Sequence, residues 1–442
     1  MKYQETSRPY KLSDLTNNEW REFALYTIAH RAIPNMYDSL KPVQRFYLYS
    51  SLISSMKEFK KVSSISGSLS NHGYNHAEAS GASAGKLMAA KWYNNICLVE
   101  GRGAFGTRLI QSQGADRYVY TRVHPNFNKY VKDLDLSPTH SDPEHEPPAF
   151  YLPVIPLVLV NGTKGIATGF ATNILPRSVK HIVAACEEYV KTGKINQSLP
   201  ISFPEFSGTT VYDVEADRYV SEGIYTRPSK TRIVIEEVPY GFDREGYIKI
   251  LDKLEDAGEI VGYDDLCDSS GFGFDVKLKN VNTSWKHEDI IKHFKLTKTH
   301  SENLNVIDEN NKLRSYSDAR DLVKDFCNFR NGILQKRIDL RIKELLEEVR
   351  WLTVKMQFIQ AVIDNKIIFK NKKKQLVVDQ IIAVTDAIDA DCDRLLRINI
   401  MSLTDEMVKD LMAQQKTAGQ SLLFWQATTV KAQFLSDLKE IK

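Results

Sequence analysis

The chain has 442 residues, 42% of them hydrophobic and 26% charged, with a formal net charge of +3. That is enough chain for two to four domains with real cores, and it excludes fibrous and intrinsically disordered classes. The longest apolar stretch, residues 151–160, is short and carries Pro153 and Pro156, so it does not read as a membrane span. The first residues, Met-Lys-Tyr-Gln-Glu, lack the apolar region of a signal peptide. The five cysteines (Cys97, Cys186, Cys267, Cys327, Cys392) are scattered and form no CxxC pair. Both features point to reduced thiols and a cytoplasmic location.

The small net charge hides an asymmetry. Residues 41–122 hold 11 Lys and Arg against Glu58, Glu78, Glu100 and Asp116, a balance of +7. A positive field concentrated in this way is the electrostatic footprint expected for a polyanion such as nucleic acid.

In chain order, residues 1–20 are polar and read as an N-terminal arm. Trp20, Phe23, Ala24, Tyr26, Thr27, Ala29 and His30 predict a helix over residues 20–32. Asp38 or Ser39 can cap a second helix with Pro42 in its first turn, reaching about residue 57. Within residues 72–93 the second half predicts a helix rich in Ala, Ser and Gly, whose small side chains permit close approach of another surface. Helices joined by a turn, with basic residues among them, fit a helix-turn-helix or winged-helix module.

Residues 114–123 read Gly-Ala-Asp-Arg-Tyr-Val-Tyr-Thr-Arg-Val. Tyr118 follows Arg117 directly, and Arg122 comes four residues later. A phenol can act as a nucleophile toward phosphorus. Attack on a phosphodiester builds negative charge on the non-bridging oxygens, and a planar guanidinium supports those oxygens as the charge grows. Tyr118 flanked by arginines is therefore a candidate constellation for breaking a nucleic-acid strand through a tyrosyl-phosphate.

Residues 151–178 predict an apolar strand, an Asn-Gly turn and a glycine-flanked Ile166, and residues 179–192 an amphipathic helix. Residues 200–320 are mixed, with strands at 231–238 and 273–279 and a helix at 244–257. Beyond them Leu334, Ile338, Ile342, Leu345, Val349, Leu352, Met356, Ile359 and Ile363 recur at spacings of 3 and 4, predicting a long heptad-like helix over 326–363. Basic residues 366–374, a short helical globule to about 399, and one long returning helix from 404 complete a stalk with a head.

Four motifs resemble sites and fail on inspection. Gly81 to Lys86 has only three residues between its glycines, and Leu87 stands where a phosphate loop needs Ser or Thr. Gly101-Arg-Gly103-Ala-Phe-Gly106 matches GxGxxG but is followed by no apolar helix, so it does not read as a dinucleotide site. His72 and His76 lie outside any HExxH, and Asp389, Asp391 and Asp393 lack the Gly and Glu of a calcium loop.

Several blocks together resemble one family. RAIPNMYDSLKPVQR, YNHAEAS, GRGAFG, RYVYTR, NGTKGIATGFATNILP and the returning stalk resemble, in order, the breakage-reunion subunit of type IIA DNA topoisomerases, such as the A subunit of gyrase. The similarity is strongest to the members found in T-even-type phages. The separations agree too: 25 residues from His76 to Gly101 and 17 from Gly101 to Tyr118.

The resemblance implies a multidomain α/β fold. Its parts would be an arm (1–20), a winged-helix cleavage domain (21–150), an α/β tower (151–325) and a coiled-coil stalk with a dimer gate (326–442). It implies that Tyr118 links to a 5′ phosphate, that Arg117 supports the transition state, and that Arg31 and His76 serve the active site, His76 as acceptor of the phenolic proton. Lys41, Arg45 and Arg122 would bind DNA, and Ile166 would wedge between base pairs. Mg2+ and ATP would be handled mainly by a partner subunit, with no metal site in this chain. The expected partners are double-stranded DNA, that ATPase and metal-binding subunit, and a second copy of the chain; the location would be the host cytoplasm if the source is a phage. Departures exist: Tyr74 and Phe46 stand where members often carry His and Arg, and Ala79 and Ser83 stand at the quinolone-contacting positions, which implies loss of ordinary quinolone sensitivity. Because the returning helix runs to Ile441, no wrapping domain is expected, which implies relaxation and decatenation in place of negative supercoiling. The other readings are a DNA-bending architectural protein and, through Gly101 to Gly106, a dinucleotide-dependent oxidoreductase.

Overall fold

A computed structural model describes residues 12–279, 282, 284–399 and 404–441. Most of the N-terminal arm, residues 1–11, lies outside the described residues. The chain is mixed α/β and divides into two units: Met1–Arg330 with Leu435–Lys442, and Asn331–Phe434.

In the first unit the chain is helical from residue 12 to residue 32, with wider π-type turns at Leu15–Trp20 and Ile28–Ala32. The next helix is Pro42–Ser54, one turn later than Asp38 or Ser39 would start it. Pro42 occupies its first position, where a missing N–H costs nothing, and Gln44 accepts from the Lys41 backbone N–H at 2.9 Å. Asp38 is occupied elsewhere: its carboxylate accepts from the backbone N–H groups of Leu40 and Tyr151 and from Arg45. Helices Val62–Gly67 and Glu78–Ala89 pack with it. Gly85 carries no Cβ because the Tyr47 ring fills that space, so a methyl there would sit 2.1 Å from the ring. These helices cover one face of an antiparallel sheet of β1 (Lys60–Lys61), β3 (Tyr120–Val123) and β2 (Val99–Arg102), in the order β1-β3-β2. Val119, Thr121 and Val123 are buried against them while Tyr120 and Arg122 face outward, the alternation a half-buried strand requires.

The apolar run 151–160 is not the expected strand. Its end, Leu157–Asn161, is a short helix whose Leu157, Val158, Leu159 and Val160 are all buried. Burial on every side removes the periodicity that separates strand from helix. A two-stranded hairpin of β4 (Thr163–Ile166) and β5 (Ala171–Ile174) follows. Asn173 of β5 exchanges backbone hydrogen bonds with Asn303, next to the hairpin of Leu304–Ile307 and Leu313–Tyr316. The helix Val179–Thr192 forms as expected, capped by Ser178 and ended by Gly193 at φ +74°. A four-stranded sheet and the helix Arg244–Asp256 then enclose a core of Ile233, Ile235, Tyr247, Leu251, Phe274 and Val276.

The helix Ala319–Ile363 begins in the first unit, several residues before the heptad pattern, and continues through the second. Within the second unit Val354, Phe358 and Ile359 share a core with Ile381 and Leu395 of two short helices and with Leu411 and Ala418 of the returning helix. Gln415 donates to the Thr353 hydroxyl across that pair at 2.8 Å. The return is two helices, Asp405–Ala427 and Val430–Ile441. Thr428, a β-branched residue in extended conformation, ends the first where one continuous helix was expected.

Candidate DNA-cleavage site

Tyr118 closes a tight turn at the mouth of β3, its N–H bonded to the Ala115 carbonyl at 2.9 Å. Its side chain is 68% exposed. The turn is braced from three directions. The backbone N–H groups of Val62 and Ser63, at the start of one helix, donate to the carbonyls of Val119 and Asp116 at 3.0 and 3.2 Å. Lys86, on a second helix, forms an ion pair with Asp116 at 2.6 Å. From below, the GxGxxG segment supplies close-packed backbone. Gly103 has φ +117°, and a Cβ on Gly114 would meet Val119 at 2.8 Å. Gly103 of that segment and Gly114 beyond it thus let the backbone press against Val119. The Arg117 guanidinium lies 4.8 Å from the centre of the Tyr118 ring, on the same exposed ridge.

Arg31 is exposed at the end of the first helical stretch. Its charge reaches the Tyr74 phenol, which burial pushes above its ordinary range while Arg31 partly opposes that shift. His76 meets Tyr74 edge-on at 5.4 Å and shares a 3.4 Å hydrogen bond with the Tyr26 hydroxyl. Arg31, Tyr74, His76 and Tyr26 therefore form one neighbourhood. The hydrogen bond of His76 goes to Tyr26 and not to Tyr118. Phe46 and Tyr74 pack on each other at 5.2 Å.

Ile166 sits at the end of β4 and is 77% exposed, beside a loop tip that also exposes Phe170. Gly165 lets that strand touch the backbone at Ala32, where a Cβ would lie 2.0 Å from the carbonyl oxygen. Lys41 donates from Nζ to the Lys164 carbonyl at 2.8 Å, and its partial burial lowers its pKa. Arg31, Lys41 and Ile166 are thus tied to one backbone junction.

Two expected DNA contacts look different in the structure. Arg45 is only 8% exposed; it donates to Asp38 at 2.8 and 3.1 Å and to the Leu40 carbonyl. Its charge is paired inside the protein, where it holds the 38–45 turn. Arg122 pairs with Glu100 at 2.6 Å, donates to the Lys57 carbonyl and stacks 4.6 Å from the centre of the Phe59 ring. Reading sequence position alone missed Asp38 and Glu100, because carboxylate partners carry no local motif. The cross-strand register Glu100↔Arg122 was the signal that would have found one of them.

Among the described residues, no group of three or more His, Cys, Asp and Glu could hold a metal ion. Nor is any helix long and apolar enough to cross a membrane among the residues described.

Comparison with known proteins agrees with this architecture. The family model for the A-type subunits of DNA gyrase and topoisomerase IV matches residues 31–440. The DNA topoisomerase medium subunit of Enterobacteria phage T4 is 40% identical over 441 residues, with 98% of each chain covered. DNA topoisomerase 2 of Plasmodium falciparum is 28% identical over 97% of this chain, which spans only 34% of that longer protein. The crystal structure of the DNA-binding, cleavage and re-ligation domain of Plasmodium falciparum topoisomerase II superimposes with a TM-score of 0.87 at 26% identity. It covers 97% of this chain and 63% of its own. A family model matched along almost the whole chain, and a 40% identical relative of the same length, show that the chain belongs to the family of DNA gyrase and topoisomerase IV A-type subunits.

Proposed function

We propose that this chain is the DNA-cleaving and rejoining subunit of a type II DNA topoisomerase. It opens one duplex through a covalent tyrosine link, a second duplex passes through, and the break is resealed, relaxing and decatenating DNA. The observation that carries this reading is Tyr118, solvent-facing on a turn braced by two helices and a glycine loop, with Arg117 against its ring.

The chemistry follows from those groups. The Tyr118 oxygen forms a bond to phosphorus while the bond from phosphorus to the 3′ oxygen breaks. A 5′-phosphotyrosyl and a free 3′ hydroxyl result. Because one phosphoester replaces another, the 3′ hydroxyl can reverse the step without ATP. Arg117 swings from the ring to the non-bridging oxygens as their charge grows. His76, in the Arg31 neighbourhood, is the chain's candidate acceptor for the phenolic proton. Mg2+ would stabilise charge on the reacting phosphate. It and ATP belong to the partner subunit.

The three helices with β1–β3–β2 fit a winged-helix cleavage domain, and the sheets between residues 209 and 316 fit a tower. The long helix and its return fit a coiled-coil stalk. Leu376, Ile382 and Val384 are exposed on the helix Lys374–Val384, with Ile368 and Phe369 exposed before it and Ile388 after it, an apolar surface suited to a second copy of the chain. The test is to reconstitute the chain with its ATPase partner and supply interlinked DNA circles, ATP and Mg2+. Release of free circles is expected only with both subunits, and ATP hydrolysis only when the partner is present. DNA that is bent but never unlinked would instead mark an architectural protein.

A further inference from the structure

We infer that Arg102 is a second DNA-positioning residue, which holds the phosphate adjoining the one that Tyr118 attacks, on the same strand. The inference rests on the proposed function and on four observations. First, Arg102 on β2 is paired directly with Tyr120 on β3, two residues beyond Tyr118. Tyr120 and its partner Arg102 share the outward face of the sheet, opposite the buried Thr121, and Tyr118 is exposed on the turn that leads into β3.

Second, the guanidinium of Arg102 lies 4.9 Å from the centre of the Phe59 ring and 4.8 Å from that of Tyr120. Arg122 reaches Phe59 as well, giving an alternating run Arg122, Phe59, Arg102, Tyr120. Aromatic contacts of this kind hold the plane of a guanidinium and leave its N–H edge free, the edge that matches two oxygens of one phosphate.

Third, two cations of the same sheet and its supporting helix are engaged by carboxylates, whereas Arg102 is not. Arg122 has Glu100 and Lys86 has Asp116. Among the described residues Arg102 meets two rings and no carboxylate. Fourth, it is exposed, between Gly101 and Gly103, so no bulky side chain next to it in sequence blocks approach of a backbone. A fixed, uncompensated guanidinium beside the nucleophile suits a phosphate, and gripping the adjoining one sets the register of the strand over Tyr118.

The experiment uses the complete enzyme, this chain with its partner subunit, on a short duplex carrying a cleavage site. A single neutral methylphosphonate is scanned through the phosphates near that site, and covalent adduct is measured for wild type, Arg102→Ala and Arg102→Lys. For wild type, one methylphosphonate adjoining the cleaved bond should cost about tenfold in apparent affinity, and Arg102→Ala should lose the same on ordinary DNA. The magnitude of the variant's salt slope should fall by about one, and the same methylphosphonate should cost it nothing more. Arg102→Lys should recover the salt slope but not the full cleavage yield at saturating DNA, because an ammonium lacks the planar fork. A variant that loses melting temperature yet suffers every methylphosphonate as wild type does would overturn the inference and leave Arg102 a staple for the Phe59 segment. Absence of any adduct from wild type would remove the proposed function, and this inference with it.

Discussion

Replacing Ile166 by Ala separates a DNA wedge from a core residue. In the free protein the side chain is 77% exposed, so its loss should change folding stability by no more than about 0.5 kcal/mol. On DNA the arithmetic differs. Ile to Ala removes three carbon atoms, worth about 0.8 kcal/mol each when they pass from water to an apolar environment. With roughly three quarters of that burial occurring only on insertion between bases, the variant should lose about 2 kcal/mol of the bent complex, or about thirtyfold. The assay is energy transfer between dyes at the ends of a duplex, with covalent adduct and melting temperature measured in parallel. Bending and adduct should fall together while the melting temperature moves by about 1 °C or less. A drop of several degrees with unchanged bending would show that Ile166 serves the fold, and the wedge argument would be wrong.

Three further outcomes are expected. Arg45→Ala leaves Asp38 buried without its partner and should cost about 3–5 kcal/mol of stability, while the salt dependence of DNA binding stays near that of wild type; a changed salt slope with normal stability would return Arg45 to the DNA surface. Lys41→Ala should do the reverse, lowering the salt slope by about one with little loss of stability, and an unchanged slope would count against its assignment. His300, hydrogen-bonded to Ser221 at 2.8 Å, is pushed down to about 4 by burial and, secondarily, by Lys298. The unfolded chain therefore binds the proton first on acidification: stability is whole above about pH 6.5 and falls as pH drops from there toward 4. Allowing for the part of the ring that faces solvent, the loss is about 2 kcal/mol, and His300→Gln should flatten that part of the melting-temperature profile; identical profiles would refute it.

Much of the fold was readable because its signals are local. The helix Val179–Thr192 shows its amphipathic period, its Ser178 cap and its Gly193 stop in sequence. Part of the heptad pattern of the long helix survives in a core that buries Leu352 and Ile359, with Val349, Met356 and Ile363 packed against it. What misled was context. Residues 157–160 are buried on all sides, so neither helical nor strand period is visible. The break at Thr428 interrupts a pattern whose apolar residues continue on both sides. At the site, the residues themselves singled out Tyr118 and Arg117 and the family resemblance added Ile166; the structure exposes Tyr118 and Ile166. The inward turn of Arg45 was not legible, since it depends on Asp38 being presented by a turn with Ser39 at φ +64°. Arg102 was likewise hidden inside a decoy. The GxGxxG match drew attention to its glycines, whereas the residue between two of them is the guanidinium stacked on Phe59 and Tyr120.

The most direct measurement is covalent capture at Tyr118. The reconstituted enzyme is mixed with end-labelled duplex and Mg2+, quenched with detergent and digested, and the labelled peptide is sequenced. DNA should be found attached through its 5′ phosphate to Tyr118, and Tyr118→Phe should bind and bend DNA as wild type does while yielding no adduct, since only the hydroxyl is missing. Adduct formed by the Phe variant, or DNA attached to another residue, would contradict the account.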